Sequence, residues 1–156
     1  MGSGKSTIGR LLAARLGWTF IDLDAAIEAR EGRSVAGIFE AVGEAAFRRM
    51  ESEMLRRVSK NGRVVVALGG GAFIDPANRT FIGESGVSVH LEVALDTVLG
   101  RIRDDGSRPL FRDPDRVAAL YAERRPAYLE ANIQLRTDGL PPETVTEQLL
   151  TLVSPS

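Results

Sequence analysis

The chain has 156 residues, 44% of them hydrophobic and 26% charged, with a formal net charge of −1, so it forms one domain with its own core. The near-zero charge argues against a nucleic-acid partner, and the absence of cysteine excludes disulfides, thiolate metal sites and thiol nucleophiles. No apolar run has membrane-spanning length and no signal-peptide pattern is present, so we expect a cytoplasmic protein with no membrane partner.

The first predicted elements are a helix and a strand. Apolar residues at positions 8, 11, 12 and 16 recur at helical spacing, which predicts a helix that begins at Ser6 and stops at Gly17. Trp18–Leu23 follows as a predicted strand, with Trp18 and Phe20 assigned to the core. Helical patterns then cover 25–30, 34–41 and 44–59, with glycines at 32 and 43 as breaks.

The rest of the chain continues the alternation of strands and helices. Arg63–Leu68 is a continuous apolar run, typical of a fully buried parallel strand, and it leads directly into three glycines. The further predictions are a helix at 76–83, a strand at 87–93, a helix at 94–103, a loop at 104–114, a helix at 115–131, a strand at 133–136 and a helix at 144–153. This order predicts an α/β domain with a mainly parallel sheet.

The start of the chain carries the second half of the phosphate-loop pattern G-x-x-x-x-G-K-[ST]. Its residues are Gly2, Ser3, Gly4, Lys5, Ser6 and Thr7. In such a loop, backbone N–H groups and the positive end of the following helix hold phosphate oxygens. Lys5 would reach the β- and γ-phosphates, Ser6 would ligate Mg²⁺ and Thr7 would help to hold the α-phosphate. We therefore predict a three-layer P-loop NTPase-type fold, a parallel sheet flanked by helices, that binds ATP and Mg²⁺.

The strand that ordinarily precedes a phosphate loop is missing from the N-terminus. The loop residues begin at Met1, and the leading glycine of the pattern would lie two positions earlier. We expect either a chain truncated upstream of the loop or a domain whose sheet has lost one strand.

An acidic pair, Asp22 and Asp24, ends the first predicted strand. Carboxyl ends of strands in open α/β sheets form the ligand crevice, and phosphoryl transfer to a hydroxyl uses a carboxylate that orients or deprotonates it. Alternatively, Asp24 only caps the next helix, a common duty of aspartate in this position. Spacing alone leaves both interpretations open.

Over essentially its whole length the chain resembles the shikimate kinases. The motifs that carry the resemblance are the phosphate loop, Asp22-x-Asp24, Phe47-Arg48-Arg49-Met50-Glu51, Ala67-Leu68-Gly69-Gly70-Gly71-Ala72, Arg108-Pro109-Leu110 and Arg124-x-Pro126-x-Tyr128. Other small-molecule P-loop kinases share the first motif but not this set. The resemblance implies an ATP-dependent kinase that phosphorylates the 3-hydroxyl of shikimate and acts as a monomer.

The resemblance also implies roles for individual residues. Asp24 would bind and activate the acceptor hydroxyl, while Arg48 and Arg124 would clamp the substrate carboxylate, a task suited to planar guanidinium groups. The backbone of Gly69, Gly70 and Gly71 would approach the substrate ring, since glycine lacks a Cβ. Glu51, three residues after Arg48 on the same helical face, could hold that arginine in one rotamer.

Further implied roles concern the nucleotide. Asp22 would act at the Mg²⁺ with Ser6, Arg101 would pack on adenine, and Arg108 would close over the transferring phosphate from a lid at about 104–114. The substrate-binding helical region would cover about 24–59 of the single domain 1–156. Arg49 and Arg125 receive no functional role and are assigned to the surface, and His90 is assigned a structural role.

Two other functions stay open at this point. A gluconate kinase or a nucleoside-monophosphate kinase would share the phosphate loop, although a two-arginine clamp favours an acid as the acceptor. A non-catalytic nucleotide-binding module is suggested by the missing strand, but the joint presence of Lys5, Asp24, Arg48 and Arg124 argues against it.

Overall fold

The computed structural model describes residues 4–60, 62–104 and 113–153, and at 101–104 it describes the backbone only. The predicted positions Gly2, Ser3 and Arg108 therefore lie outside the described residues, as do the side chain of Arg101 and most of the predicted lid.

The described chain alternates helices and strands, as predicted. The helices are α1 Lys5–Leu16, α2 Leu23–Glu31, α3 Val35–Ser59, α4 Pro76–Ser85, α5 Leu95–Asp104, α6 Pro114–Tyr128 and α7 Pro142–Val153. The strands are β1 Thr19–Asp22, β2 Val64–Ala67, β3 Val89–Glu92 and β4 Ile133–Arg136. A short 3-10 turn at Ala72–Ile74, which was not predicted, follows the three glycines.

Several helix ends lie where the sequence predicts them, because the capping residues act locally. Gly17 takes a left-handed conformation with φ 70° and ends α1. The Ser34 hydroxyl accepts the N–H of Gly37 and begins α3. Gly43, at φ 85° and ψ 171°, interrupts α3 at the predicted break. Across the described residues, none of these helices has both the length and the apolar character that crossing a bilayer requires.

The strands form two parallel pairs, β1 with β2 and β3 with β4, and not one continuous sheet. Helix α6 contacts the carboxyl ends of both pairs. The Tyr121 hydroxyl donates to the Val93 carbonyl just beyond β3, and the Tyr128 hydroxyl donates to the Gly70 carbonyl just beyond β2. The two pairs therefore point in the same direction, which confirms the predicted parallel arrangement, but in the described part of the chain the sheet is divided between β2 and β3.

Helices cover both faces of the strands, so the core has separate parts. The first cluster includes Leu23, Ile27, Ile38, Phe47 and Leu55 from α2 and α3. The second joins Ile8 and Leu12 of α1 to Val145 and Leu149 of α7 and packs on residues of β2, β3 and β4. This layering places the carboxyl ends of the strands, where the predicted acidic and glycine residues lie, at one edge of the domain.

Two burial predictions are wrong, and one cavity explains both. The apolar strand β2 is mostly half-buried, not fully buried, and Trp18 is 41% exposed and not part of the core. Trp18 and the residues of β2 line a cavity of about 530 Å³ between β2 and β3. The cavity leaves these side chains without packing partners on one side.

Candidate active site

The start of α1 is arranged to hold an anion. Gly4, at φ 78°, is the N-cap and provides no side-chain hydrogen bond, so the first N–H groups of α1 point outward at the positive end of the helix dipole. Lys5 lies in the cavity wall that also includes Gly69 and Gly70. The Ser6 hydroxyl donates to Oδ2 of Asp22 over 2.9 Å, which joins the phosphate-loop residues to the end of β1.

The two acidic residues have different local roles. Asp22 is the N-cap of α2, since its Oδ1 accepts the N–H of Ala25 over 3.1 Å. Asp24 lies two residues further along the chain, inside the first turn of α2. The alternative in which Asp24 only caps the helix is therefore wrong: the chain turns from strand to helix immediately after Asp22, which takes the capping position.

The three glycines Gly69–Gly71 form a wall against which the predicted substrate residues lie. A methyl group on the first glycine would lie 2.7 Å from Oδ1 of Asp24. One on the second would overlap the guanidinium of Arg124, and one on the third would overlap that of Arg48. Side chains from α2, α3 and α6 thus converge on one short segment, and the missing Cβ atoms make room for these side chains.

Arg48 is held by two carboxylates on its own helix. Its Nη1 donates to Oε1 of Glu51 over 2.7 Å and its Nη2 donates to Oε1 of Glu44 over 3.3 Å. Burial lowers the pKa of Arg48, but the hydrogen bonds and charges of Glu51 and Glu44 outweigh burial and raise that pKa overall. The predicted positioning of Arg48 by Glu51 is confirmed.

Glu51 links the charged residues of the site into one electrostatic unit. Its side chain is 1% exposed, and its Oε2 has no hydrogen-bond partner within the described ranges. Burial raises the pKa of the Glu51 carboxyl, Arg48 and Arg124 oppose this, and the charge of Asp24 adds to it. The carboxylates of Glu51 and Asp24 therefore repel each other, and the two guanidinium groups balance them.

We expect Glu51→Gln to change how stability depends on pH. Because the folded-state pKa of Glu51 is raised, the folded chain binds its proton more tightly than the unfolded chain, and the free energy of unfolding falls as pH rises from about 4.5 through the folded-state pKa. Glutamine cannot lose a proton. The free energy of unfolding of the variant, measured in urea, should therefore rise relative to that of the parent between pH 4 and pH 7. Glu53→Gln, on the exposed side of the same helix, should show no such trend. A constant difference between parent and Glu51→Gln across this window would contradict the burial argument.

Tyr128 is a site residue to which the sequence analysis gave no role. Its hydroxyl donates to the Gly70 carbonyl. Burial raises the pKa of the Tyr128 hydroxyl, although the charge of Arg124 and a hydrogen bond with it act in the opposite direction. The spacing of Arg124 and Tyr128, four residues apart on one helix, is the signal that both contact the same neighbour.

Other predicted residues lie apart from this constellation. Arg49 is exposed, and Arg125 is half exposed and pairs with Glu92 over 2.8 Å, which agrees with their assignment to the surface. His90 contacts Gln134 through its Nδ1 over 2.7 Å, and its ring packs at a tilt of 40° against the Tyr128 ring, with the centroids 5.2 Å apart. These contacts agree with a structural role for His90.

Comparison with known proteins identifies the relatives of this fold and site. The family model described as shikimate kinase matches residues 1–154. A shikimate kinase from Geobacter sulfurreducens is 44% identical over 98% of this chain and 86% of its own length. Among solved structures, shikimate kinase from Acinetobacter baumannii in complex with shikimate has a TM-score of 0.92 and 34% identity, covering 98% of this chain and 88% of that one. The shikimate kinase of Aquifex aeolicus has a TM-score of 0.87 and 38% identity, covering 97% and 90%.

Proposed function

This chain belongs to the shikimate kinase family, and from that membership and the site geometry we propose that Asp24, Arg48 and Arg124 hold shikimate while the phosphate loop presents ATP. The reaction is transfer of the γ-phosphoryl group to the 3-hydroxyl of shikimate. The observation that carries the assignment of these residues is their convergence on Gly69–Gly71 from three separate helices.

The two arginines are suited to an acid because they approach the glycine wall side by side. Arg124 lies against the second glycine and Arg48 against the third. A guanidinium binds a carboxylate through two parallel hydrogen bonds, so two such groups define both the position and the orientation of the acid. Glu51 fixes Arg48 before substrate arrives, which reduces the ordering cost of binding.

Asp24 lies beside the first glycine, at the end of the wall nearest the end of β1. A shikimate carboxylate held by the arginines leaves the ring to extend along the glycines toward Asp24. We propose that Asp24 accepts the proton of the 3-hydroxyl as its oxygen forms the new bond to γ-phosphorus. The bond between γ-phosphorus and the bridging oxygen of ATP breaks, and ADP leaves with that oxygen.

The phosphate loop provides the other half of the site. N–H groups at the start of α1 and the Lys5 ammonium would hold the phosphate oxygens and stabilise the charge that develops during transfer. The hydrogen bond from Ser6 to Asp22 joins this half to the carboxyl end of β1, from which Asp24 follows after two residues. Both substrates thus meet at one edge of the strands.

The residues at this edge fit a magnesium ion. The Ser6 hydroxyl and the Asp22 carboxylate lie 2.9 Å apart, and both are hard oxygen donors of the kind that Mg²⁺ prefers. No group of three or more His, Cys, Asp and Glu side chains capable of holding a metal occurs among the described residues, which suits an ion held mainly by phosphates and water. When bound, Mg²⁺ neutralises charge on the phosphates.

The remaining predictions complete the proposal. Arg108, in the lid at about 104–114, would add positive charge at the transferring phosphate, and Arg101 would pack on adenine. A monomeric state and a cytoplasmic location stay predictions.

An ADP-release assay coupled to NADH oxidation tests the function directly. We expect ATP-dependent ADP release with shikimate and only background release with gluconate or CMP. A preference for CMP would contradict the acid-clamp assignment, and a preference for gluconate would contradict shikimate as the acceptor. Background release with all three would favour a non-catalytic nucleotide-binding module.

We expect Tyr128→Phe to weaken shikimate binding without a comparable effect on ATP. The change removes only the hydroxyl that holds the Gly70 carbonyl, so the wall and the neighbouring Arg124 lose one positioning contact. A lost hydrogen bond of this kind is worth about 0.5–1.5 kcal/mol, which corresponds to a roughly 2- to 10-fold rise in KM for shikimate.

The matched control is Tyr121→Phe, which changes the chain's other tyrosine, on the same helix as Tyr128. It removes the hydroxyl and its hydrogen bond to the Val93 carbonyl. That variant should lose similar stability but keep its KM for shikimate. If Tyr128→Phe also kept the parental KM for shikimate, Tyr128 would contribute only to folding.

A further inference from the structure

The 3-10 turn Ala72–Ile74 is held on its carbonyl side by two consecutive side chains of α4. Nδ2 of Asn78 donates to the Ala72 carbonyl over 2.9 Å. Nη1 of Arg79 donates to the next two carbonyls of the turn, over 2.9 Å and 2.8 Å. All three carbonyls of the turn thus accept hydrogen bonds from the start of one helix. We call this pair of side chains the turn clasp.

Backbone hydrogen bonds connect the turn to the glycine wall. The N–H of Ala72 donates to the Gly69 carbonyl over 3.1 Å. The N–H of Ile74 donates to the Gly71 carbonyl over 3.2 Å. A shift of the turn would therefore move the last glycine, and the guanidinium of Arg48 lies directly against that glycine. The turn clasp is thus linked to the substrate site through the backbone.

The Asn78 side chain is itself held in place by α3. It is 2% exposed, and its Oδ1 accepts a hydrogen bond of 3.0 Å from Nη1 of Arg56. Arg56 also donates to the Ser52 carbonyl and lies over the Phe81 ring of α4. The amide nitrogen and the amide oxygen of Asn78 both have partners, so its rotamer is fixed. A fixed donor of this kind can define the position of a backbone carbonyl.

Arg79 extends the turn clasp to the helix that carries Arg124. Its Nε pairs with Oε2 of Glu130 over 2.9 Å, two residues beyond the end of α6 at Tyr128. The side chain of Arg79 is 21% exposed and that of Glu130 is 61% exposed, so this ion pair contributes little to stability. The bonds from the charged guanidinium to the turn carbonyls are the stronger contacts. The turn clasp therefore acts mainly on the turn.

The place of the turn along the glycine wall determines which kinetic constant should respond to it. The turn follows Gly71, at the end of the wall where Arg48 lies, whereas Asp24 lies at Gly69, at the other end. A displaced turn therefore disturbs the carboxylate end of the proposed substrate site and leaves the reacting hydroxyl in place. Loss of binding that is equal in the ground state and the transition state raises KM and leaves kcat unchanged.

We propose that Asn78 and Arg79 are positioning residues of the substrate site, which set the affinity for shikimate by holding the turn that follows the glycine wall. The inference rests on the proposed function, because it requires the acid to bind at Arg48 and Arg124. Both residues of the turn clasp act through the backbone at 69–74 and not by touching the acid.

The first test is Asn78→Asp in the full chain. Aspartate keeps the shape of asparagine and its contact with Arg56, but it replaces the donor to the Ala72 carbonyl with an oxygen that repels this carbonyl. We expect KM for shikimate to rise roughly 5- to 100-fold, the range for an unsatisfied buried polar group, with kcat within about threefold of the parent. KM for ATP should be unchanged. Isothermal titration with shikimate should show the same ratio in Kd.

Arg79→Met is the second, independent variant, and it keeps the inference testable if Asn78→Asp does not fold. Methionine keeps the apolar stem of the arginine but removes the donor to two carbonyls of the turn. It should also raise KM for shikimate with little change in kcat. Its control is Glu130→Gln, which breaks only the exposed ion pair and should keep KM for shikimate within about twofold of the parent.

Thr146→Val controls for a general loss of stability. Thr146 is 2% exposed, and its hydroxyl donates to the Pro142 carbonyl on α7, away from the glycine wall. This variant should lower the free energy of unfolding in urea but keep the parental KM for shikimate. An equal rise in KM in Thr146→Val and Asn78→Asp would attribute the effect to stability and overturn the inference.

The remaining outcomes are equally decisive. A folded variant of Asn78 or Arg79 with the parental KM for shikimate would remove that residue from the turn clasp, and two such variants would overturn the inference. An effect of Glu130→Gln equal to that of Arg79→Met would assign Arg79 to the ion pair instead. Arg124→Ala, measured alongside, separates the two levels of the argument. Unchanged affinity in Arg124→Ala would refute the substrate site and the inference with it, whereas a loss confined to Arg124→Ala would refute the turn clasp alone.

Discussion

Asp24→Asn is expected to reduce kcat for shikimate phosphorylation by about 10²- to 10⁴-fold, the range associated with loss of a positioned general base. Asparagine has nearly the same shape, so it can keep the packing against Gly69, but it cannot take up the proton of the 3-hydroxyl. ATP binding should be unchanged, because the phosphate-binding residues lie on α1. Steady-state kinetics together with ATP titration measure both effects.

The same variant should remain folded, because its two effects on stability oppose each other. Loss of a carboxylate from the first turn of α2 removes a helix-dipole interaction of about 0.3–1 kcal/mol. Loss of the same charge also relieves its repulsion of buried Glu51. The matched control is Asp75→Asn, at the exposed N-cap of α4, which should keep full activity because asparagine caps as well as aspartate. An Asp24→Asn variant with near-parental kcat would eliminate Asp24 as the base.

Arg124→Ala is expected to weaken shikimate binding by about 2–5 kcal/mol, the cost of removing one partner of a buried charge pair. This corresponds to a roughly 30- to several thousand-fold rise in Kd. Arg124 is a cleaner test than Arg48, because removing Arg48 would also leave buried Glu51 without its cation and destabilise the fold. Isothermal titration with shikimate, with and without a non-hydrolysable ATP analogue, gives the affinity.

Arg125→Ala provides the control for Arg124→Ala, since the two arginines are adjacent on α6. Arg125 is 47% exposed and pairs with Glu92, and it is not among the side chains closest to the three glycines. Its replacement should leave shikimate affinity within about twofold of the parent, as expected for an exposed pair. If both variants lost affinity equally, the loss would reflect the general charge of α6 and not a clamp.

The order of helices and strands could be predicted because local signals specify it. Caps such as Ser34, glycines such as Gly17 and Gly43, and the run of valines in β2 act over a few residues and need no tertiary information. The last predicted strand coincides with β4 at Ile133–Arg136.

The burial of those elements could not be predicted in the same way. An apolar run indicates a strand that can be buried on both faces, but what lies beside its edges depends on the other strands of the sheet. β2 and β3 are half-buried because one edge of each borders the cavity between them. Trp18 is exposed for the same reason.

The site illustrates which details spacing can and cannot resolve. The resemblance named Asp24, Arg48 and Arg124, but spacing left open whether Asp24 only caps α2, because that depends on whether β1 ends before or after Asp22. The resemblance also implied that the three glycines let the backbone approach the substrate ring. The structure adds a second reason for them, since every one faces a charged side chain that a Cβ would displace.

A crystal structure of the chain with shikimate tests the central claim most directly. The account predicts the carboxylate within hydrogen-bonding distance of both Arg48 and Arg124, with the ring along Gly69–Gly71 and the 3-hydroxyl on the carboxylate of Asp24. A carboxylate bound elsewhere, or a 3-hydroxyl directed away from Asp24, would contradict it.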